Sequence, residues 1–319
     1  MISYRKLAMR VLGHSPVSAV KTARRSTGKR AAALALTAAL VVGMTLPAFA
    51  QDWYIEDGDI SISAGTNGNN VTQGGTTIEN DTDTVIKSKD SSTASSNTVT
   101  IDAGEGKTVN VTLDNVTINV DEEPTSGYDP SAYKTAVSVT GSGNTNIELN
   151  GNNTLTSGYG HAGLEHNKTD DSGTLTIQDE KNDDGSAKGS ASDTTGSLTA
   201  NGGIDGAGIG GSDEHDGQVT ITGGEITATG GNGAAGIGGG AGDTDAVGGD
   251  GDVTISGGTI TATGGRLAAG IGGGAYGNGT VTVTDGDITA KATGRYGAGI
   301  GGGYGAKPKP SGTLIGGNG

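Results

Sequence analysis

The sequence lacks cysteine altogether and has few aromatic residues and prolines. Its 319 residues include no Cys, 6 Pro and only 3% Phe, Trp and Tyr. The absence of Cys excludes a disulfide scaffold, a zinc site built on thiolates and a thiol nucleophile. So few aromatic side chains also disfavour an ordinary globular domain with a large aromatic core.

Glycine, in contrast, is abundant, with 63 residues against an ordinary usage of roughly 7%. Glycine at this frequency indicates collagen, disorder or a tightly turning repeat. Collagen is excluded because Gly does not occupy every third position and Pro is scarce. Val and Ile recur at fixed spacing between the glycines, which favours the repeat over disorder.

The first 50 residues differ in kind from the rest. They hold eight basic residues and no acid, followed by an apolar run over residues 31–47 and the small-x-small sequence Ala48-Phe49-Ala50. This pattern predicts a secretory signal peptide over residues 1–50 that is cleaved after Ala50. The apolar run is at the short limit for a membrane-spanning helix. We therefore expect a protein that is secreted or displayed on the cell surface, with no membrane insertion after cleavage.

Cleavage would leave a strongly acidic chain. It would retain 12 basic and 35 acidic residues, a net charge of −23. This charge argues against nucleic acid as a partner, because phosphate binding needs Lys and Arg. It also argues against binding to anionic membrane surfaces.

The remainder of the sequence is a repeat. The phrase AGIGG occurs four times, with its Ile at Ile209, Ile237, Ile271 and Ile300. Two short runs in which apolar residues alternate with Thr follow most copies, for example residues 219–221 and 226–228. Such alternation indicates strands with one buried face, and glycine supplies the positive φ that sharp corners need.

Three strands this short cannot form a stable domain alone, but stacked units can bury a shared interior. The repeat therefore predicts an all-β fold, a right-handed parallel β-helix with three short strands per coil. We assign the coils to residues 107–319 and an N-terminal cap with the first irregular coils to residues 51–106. Three polar insertions are expected to be surface loops, at residues 121–134, 165–173 and 179–196. Residues 312–316 begin another coil, so we expect an incomplete or uncapped C-terminal end.

The strand sequences carry a family resemblance. The succession KTVNVTLDNVTINV, NIELNGNNTL, GTLTI and AGIGG resembles the carbohydrate-binding β-helix family of exported bacterial proteins, which includes clostridial cellulose- and pectin-binding members with a pectate-lyase-like fold. The resemblance covers roughly residues 51–315 and is most specific over residues 107–211. It implies a surface polysaccharide binder assisted by calcium. No catalytic residue can be carried over, because no motif here matches one.

Two arginines are candidates for binding a sugar. Arg266 and Arg295 each lie five residues before an AGIGG Ile, and Tyr159 lies five before Leu164, at the equivalent position. Arg266 and Arg295 are the only arginines after residue 50. We expect the two arginines to stack on adjacent coils. One hypothesis is a clamp for uronate carboxylates, which match the guanidinium fork. The alternative is that they pair with nearby Asp.

Three further tyrosines lie four or five residues from the same Ile positions: Tyr276, Tyr296 and Tyr304. Because sugar sites use aromatic platforms, these residues are predicted to form a stacking strip beside the arginines. The alternative is that Gly-rich coils need some bulk at their corners.

Acidic residues follow the AGIGG copies and are candidate calcium ligands. The predicted set is Asp213, Glu214, Asp216, Asp250 and Asp252. Carboxylates and loop carbonyls can coordinate calcium, although solvated acidic loops are the commoner outcome. Three histidines, His161, His166 and His215, are too scattered in sequence to argue for a transition metal.

Outward-facing threonines are expected to form columns across the coils. Thr220 is expected to stack with Thr254 and Thr282, and a second column is expected at Thr227, Thr261 and Thr289. Regular Thr columns resemble those of ice-binding solenoids, but Thr is also simply a good solvent-facing strand residue. Interruptions at Lys291 and Glu148 are expected to keep this face short.

Three function classes remain open from the sequence. The first is a noncatalytic polysaccharide-binding or adhesive surface protein, which we favour. The second is a structural stalk that holds another domain away from the cell. The third is a polyuronate lyase, in which an arginine or a bound calcium would acidify the proton next to a carboxylate.

Overall fold

A computed structural model describes residues 51–121, 133–179, 196–242 and 248–305. The predicted signal peptide, most of the insertions at 121–134 and 179–196, and the strand expected at 312–316 lie outside these residues. The described chain consists of β-strands, connecting corners and one short 3-10 helix at Ile55–Asp57. No described helix is both long enough and apolar enough to cross a membrane.

The described strands have the following bounds. In chain order they are β1 (Gln51–Tyr54), β2 (Ile60–Ala64), β3 (Asn69–Gln73), β4 (Thr76–Asp81), β5 (Thr84–Lys87), β6 (Val99–Asp102), β7 (Thr108–Asp114), β8 (Thr117–Asn119), β9 (Val137–Thr140), β10 (Asn144–Asn150), β11 (Asn152–Thr156), β12 (Leu164–Glu165), β13 (Leu175–Asp179), β14 (Ser197–Asn201), β15 (Ile209–Gly210), β16 (Gly217–Ile221), β17 (Glu225–Thr229), β18 (Ile237–Gly238), β19 (Gly251–Gly264), β20 (Ile271–Gly272), β21 (Gly279–Ala292) and β22 (Ile300–Gly301).

These strands form three parallel ladders. The first runs through β1, β5, β7, β10, β13, β16 and the N-terminal halves of β19 and β21. The second runs through β8, β11, β14, β17 and the C-terminal halves of β19 and β21. The third runs through β2, β6, β9, β12, β15, β18, β20 and β22. The predicted all-β parallel β-helix with three strands per coil is thereby confirmed.

Like residues stack on like residues along the coils. Val219 pairs with Val253, Ile226 with Ile260 and Ile237 with Ile271, and all six side chains are at most 1% exposed. The apolar residues of the alternating runs therefore form the buried face that the alternation predicts. Fully burying one such side chain stabilises the folded state by about 1.5–3 kcal/mol, so the aliphatic columns hold the coils together.

The strands differ in length from the simple repeat. AGIGG contributes only two paired residues per coil, while β19 and β21 each join the first and second strand positions into 14 residues. The corner between the two positions stays paired across coils, through Ser256 and Asp285, with a register shift on either side. Glycines at positive φ, Gly258 and Gly286, allow the chain to turn there without leaving the ladder.

The N-terminal region combines coil strands with an antiparallel addition. β1 and β5 already belong to the first ladder, whereas β2, β3 and β4 form an antiparallel meander. Val71 of β3 is fully buried in the same core as Ile62 of β2. The meander thus lies against the first coils, where it covers part of their interior.

The insertion at 165–173 is more than a solvated loop. Glu165 and His166, at its start, are only 8% and 2% exposed. The backbone N–H groups of His166 and Lys168 donate to the carbonyls of Gly210 and Asp216, at 2.8 and 2.7 Å. Interpreting the whole insertion as a surface loop was therefore wrong for its first residues, because this segment packs along the next coil.

Candidate functional site

The three tyrosines of the predicted strip lie together at the corners of the last two described coils. The ring centroids of Tyr276 and Tyr304 are 5.8 Å apart, and those of Tyr296 and Tyr304 are 5.1 Å apart. Tyr296 and Tyr304 are 58% and 43% exposed. The three rings therefore form one solvent-facing aromatic patch, which we call the tyrosine patch.

Backbone hydrogen bonds between corners explain how these rings meet. The Tyr304 N–H donates to the Leu267 carbonyl, and the Tyr276 N–H donates to the Tyr304 carbonyl, each at 2.7 Å. The corner before AGIGG in one coil thus contacts the corner after AGIGG in the next. Tyr276 adopts a φ of 63°, which is uncommon for a residue other than glycine. The corner therefore fixes the direction in which this side chain leaves the coil.

Arg266 and Arg295 lie close to the tyrosines of the patch in sequence and are both exposed. Arg266 precedes Leu267, whose carbonyl holds Tyr304, and Arg295 precedes Tyr296. Neither guanidinium makes an ion pair with any residue that the structure describes. The pairing with nearby Asp that we considered is thus not seen in the described part of the chain.

The two arginines are offset by one residue along the corner. Seven residues separate Ala292 from Ile300, but only six separate Gly264 from Ile271, although both end pairs are in register. As a result Gly294, rather than Arg295, lies over the backbone of Arg266. This offset separates two like charges that direct stacking would bring close together.

Tyr159 lies apart from the tyrosine patch. Its ring contacts Tyr133, with centroids 5.6 Å apart, and its hydroxyl donates to Asp205 Oδ2 at 3.1 Å. Its coil lies three coils before that of Arg266, which corresponds to about 14 Å at the usual strand spacing. The equivalence of Tyr159 and Arg266 in sequence therefore does not bring them to one site.

Two of the predicted metal ligands accept hydrogen bonds from backbone N–H groups. Asp216 Oδ1 accepts the N–H of Asp250, and Asp250 Oδ1 accepts the N–H of Asn278, each at 2.7 Å. Each carboxylate thus caps the start of a strand one coil further on. This arrangement explains why an acid or amide recurs here without invoking a cation.

The other predicted ligands do not converge either. Asp252 Oδ2 accepts from Lys168 Nζ at 2.6 Å, while Glu214 is exposed and adopts a φ of 60°. The backbone N–H of Asp213 donates to Gly160. Within the described ranges, no three His, Cys, Asp or Glu side chains are placed to hold a metal ion.

A polar cluster that sequence reasoning missed surrounds Glu165. Its Oε2 atom lies 2.9 Å from His161 Nδ1 and 3.3 Å from Thr135 Oγ1 and the Ala162 N–H. The hydrogen bond to Glu165 raises the pKa of His161 above its ordinary value, against the opposing effect of burial. A backbone hydrogen bond to Tyr133 acts in the same direction. His161 and Glu165 are four residues apart in a Gly-containing loop, and this spacing gave no reason to expect that they form a pair.

We expect His161 to stabilise the fold mainly at acidic and neutral pH. Because its folded-state pKa exceeds the unfolded value near 6.5, its contribution is fully present below pH 6.5 and is lost as pH rises through the folded-state pKa. His161→Gln should therefore cost about 1 kcal/mol at pH 5.5 and much less at pH 9. Urea unfolding at both pH values measures the difference. The exposed His215→Gln is the control, and an equal loss for His161→Gln at both values would contradict the prediction.

Outward amides and acids line a second feature that the repeat pattern did not reveal. Asn146 Nδ2 donates to Asn110 Oδ1 at 2.8 Å, and Gln178 Nε2 donates to Glu148 Oε2 at 3.4 Å. Together with Asp83 these side chains border a polar groove of about 250 Å³ on the first ladder. The alternation of the strands predicts that these side chains face outward, but no motif in the sequence distinguishes them from other outward-facing polar residues.

One threonine column is longer than expected. Its paired residues are Thr117, Thr154, Thr199, Thr227, Thr261 and Thr289. The column that contains Thr220 continues through Thr176. Glu148 does not interrupt it, because Glu148 pairs with Thr112 and Gln178 in a separate column. Lys291 does pair with Thr263 at the edge of the face.

Comparison with known proteins supports the architecture. A family model described as a beta helix repeat matches residues 196–213, 219–241 and 253–275. The matched segments cover the second-ladder strands and AGIGG corners of three consecutive coils. No curated protein and no solved structure is significantly similar to the chain. The chain is thus a parallel β-helix repeat protein by both its sequence match and its strand pairing.

Proposed function

We propose that this β-helix protein is exported and binds polysaccharide without catalysis, through the tyrosine patch and its two arginines. The observation that carries the proposal is the contact among three tyrosine rings, two of them exposed. Two exposed arginines lie close to these tyrosines in sequence and have no ion-pair partner among the described residues. Aromatic faces stack on the C–H faces of sugar rings. Guanidinium forks bind carboxylates in a bidentate manner.

The negative charge of the protein limits the kinds of polysaccharide that it could bind. An acidic surface repels polyanions in general, so a uronate-containing glycan needs local cations where it docks. Arg266 and Arg295 are the only arginines beyond residue 50, and both lie in the sequence around the tyrosine patch. We therefore propose an acidic plant-type or surface polysaccharide as the ligand, with carboxylates at the arginines and sugar rings on the tyrosines.

Calcium assistance stays a prediction. Asp216, Asp250 and Asp252 already bind backbone or Lys168, and the described acids do not form a three-ligand group. The proposed binding is accordingly derived from the tyrosines and arginines alone. Binding measured in calcium and in EDTA tests whether a cation contributes.

The affinity for polysaccharide should depend both on the tyrosines of the patch and on the two arginines. Retention of the purified protein on pectin, cellulose and mucin, followed by titration with oligogalacturonate, measures the affinity. We expect Tyr304→Ala, and Arg266→Ala with Arg295→Ala, each to weaken binding about tenfold or more, as for residues that dominate an interface. Lys291→Ala removes an exposed cation from the same coil and should change affinity less than twofold.

Other outcomes would favour the alternative functions. Absence of retention on every matrix would leave the stalk hypothesis as the better account. Formation of an unsaturated uronate product, seen as an increase in ultraviolet absorbance, would establish the lyase instead. Binding that the Arg and Tyr variants do not weaken would refute the assignment of the patch.

A further inference from the structure

A second cleft lies on coils distant in sequence from the tyrosine patch. It has a volume of about 390 Å³ and opens between β9, including Ser138, and the segment 165–172 that crosses onto the next coil. This volume falls within the 300–1,000 Å³ typical of small-molecule clefts. The cleft is therefore large enough for a small ligand and is bordered by two coils.

The outer wall of the cleft is held by specific contacts. Asn167 Oδ1 accepts from the Ser212 N–H at 2.8 Å, and Asn167 Nδ2 donates to Ser212 Oγ at 2.9 Å. Lys168 binds the next coil by its backbone N–H and reaches Asp252 through its side chain. These bonds tie the wall to two further coils, so the cleft is a preformed feature.

His166 has a defined tautomer at this wall. Its Nδ1 atom lies 2.9 Å from the Gln218 carbonyl oxygen, which can only accept a hydrogen bond. Nδ1 therefore carries the proton. Burial lowers the pKa of His166, which favours the neutral ring, in which Nε2 presents a lone pair.

We infer that the Nε2 atom of His166, a residue that lines the cleft, faces into it. Among the described residues, the only fully buried side-chain nitrogen or oxygen atoms without a hydrogen-bond partner are Glu56 Oε2 and Thr145 Oγ1. Nε2 of His166 has no described partner, so it must reach accessible space. His166 is 2% exposed and lines the cleft, so we assign the cleft as that space. His166, whose side chain is otherwise buried, thus presents a hydrogen-bond acceptor to the cleft.

The lining selects against anions. Glu165 and Asp171 border the cleft, together with the hydroxyls of Ser138 and Ser142, and no Lys or Arg is among its described lining residues. Lys168 lies nearby, but its side chain pairs with Asp252. The cleft therefore offers acceptors and hydroxyls to a ligand that donates hydrogen bonds and carries no negative charge.

We propose that this cleft binds a neutral, hydroxyl-rich ligand such as a single hexose unit, with one ligand hydroxyl donating to His166 Nε2. The inference stands independently of the tyrosine patch, which favours acidic sugars by its arginines. The protein would then contain two sites on different coils, one that prefers acidic sugars and one that prefers neutral sugars.

The test uses two substitutions, each of which places an amide group near the position of one nitrogen of the His166 ring. His166→Asn keeps an amide donor near the position of Nδ1 and removes the atom at Nε2, whereas His166→Gln keeps a polar atom near Nε2. Neutral tetrasaccharides of glucose, mannose and galactose are titrated into the full protein, and the His166 ring nitrogens are followed by NMR. We expect a shift of the Nε2 resonance and a five- to tenfold weaker affinity for His166→Asn. His166→Gln should bind within about twofold of the unsubstituted protein.

Several results would overturn the inference. These are no Nε2 shift with any neutral tetrasaccharide, equal affinity of His166→Asn, or a preference of this cleft for tetragalacturonate or for an amine-bearing glucosamine oligomer. Arg266→Ala with Arg295→Ala must leave the Nε2 shift intact, which separates this site from the tyrosine patch. Thermal unfolding of each variant shows whether the fold is retained. If the Asn variant unfolds, the presence or absence of the Nε2 shift in the unsubstituted protein still decides the test.

Discussion

Gly238→Ala is expected to be among the most destabilising single substitutions in this chain. Gly238 has a φ of 133°, and a Cβ atom there would lie closer than 3.0 Å to the backbone of Gly272 in the next coil. Gly210 and Gly272 have the same conformation and the same conflict. Strained backbone and backbone overlap together should cost about 3–5 kcal/mol, a large part of the 5–15 kcal/mol that stabilises a typical domain.

Gly74→Ala is the matched control. Gly74 also has a positive φ, of 57°, but no atom lies within 4 Å of the position that a Cβ would occupy there. Its substitution should therefore cost only about 1–2 kcal/mol for the left-handed backbone. Urea unfolding followed by far-ultraviolet circular dichroism compares the two. Equal losses would show that close stacking of AGIGG does not constrain the coil.

Asp81→Ala is expected to destabilise the N-terminal region by about 3 kcal/mol. Asp81 is 1% exposed, and its Oδ2 atom accepts from Trp53 Nε1 at 2.8 Å and from Thr84 Oγ1 at 3.1 Å. Trp53 and Thr84 are each 3% exposed. Removing the carboxylate would leave buried donors without an acceptor, which costs about 1–3 kcal/mol per group.

The single tryptophan provides the measurement. Trp53 is the only Trp in the chain, so its fluorescence reports the region around Asp81 during urea unfolding. Asp83→Ala removes the same charge from an exposed neighbour and should change stability by less than about 0.5 kcal/mol. If Asp81→Ala unfolded at the same urea concentration as Asp83→Ala, the buried network would not contribute as described.

The candidate site was predictable where it follows the repeat. Tyr276, Tyr296 and Tyr304 hold fixed offsets from AGIGG, so their neighbourhood could be expected from spacing within adjacent coils. Tyr159 has a similar offset, but it lies three coils away. An offset specifies a position around the coil, whereas the axial distance depends on how many coils intervene.

Other contacts could not be anticipated from the pattern. The pair of His161 and Glu165, and the orientation of His166 toward Gln218, arise where an insertion leaves the coil and packs along its neighbour. No periodicity exists within such a segment. Asp216 and Asp250 are predicted calcium ligands, and the pattern gave no sign of their bonds to backbone N–H groups, which depend on where the next strand begins.

The sequence by itself determined the fold class, the inward-facing positions and the number of strands per coil. Alternation and the AGIGG spacing are local, and stacked identical coils repeat every local preference along the axis, so short-range signals accumulate. The tertiary structure alone decided the fused strands β19 and β21, the antiparallel meander, the polar cluster around Glu165 and the contact of His166 with Gln218. These features depend on contacts between segments that differ from the repeat, and their pairing energy exists only once neighbouring coils have formed.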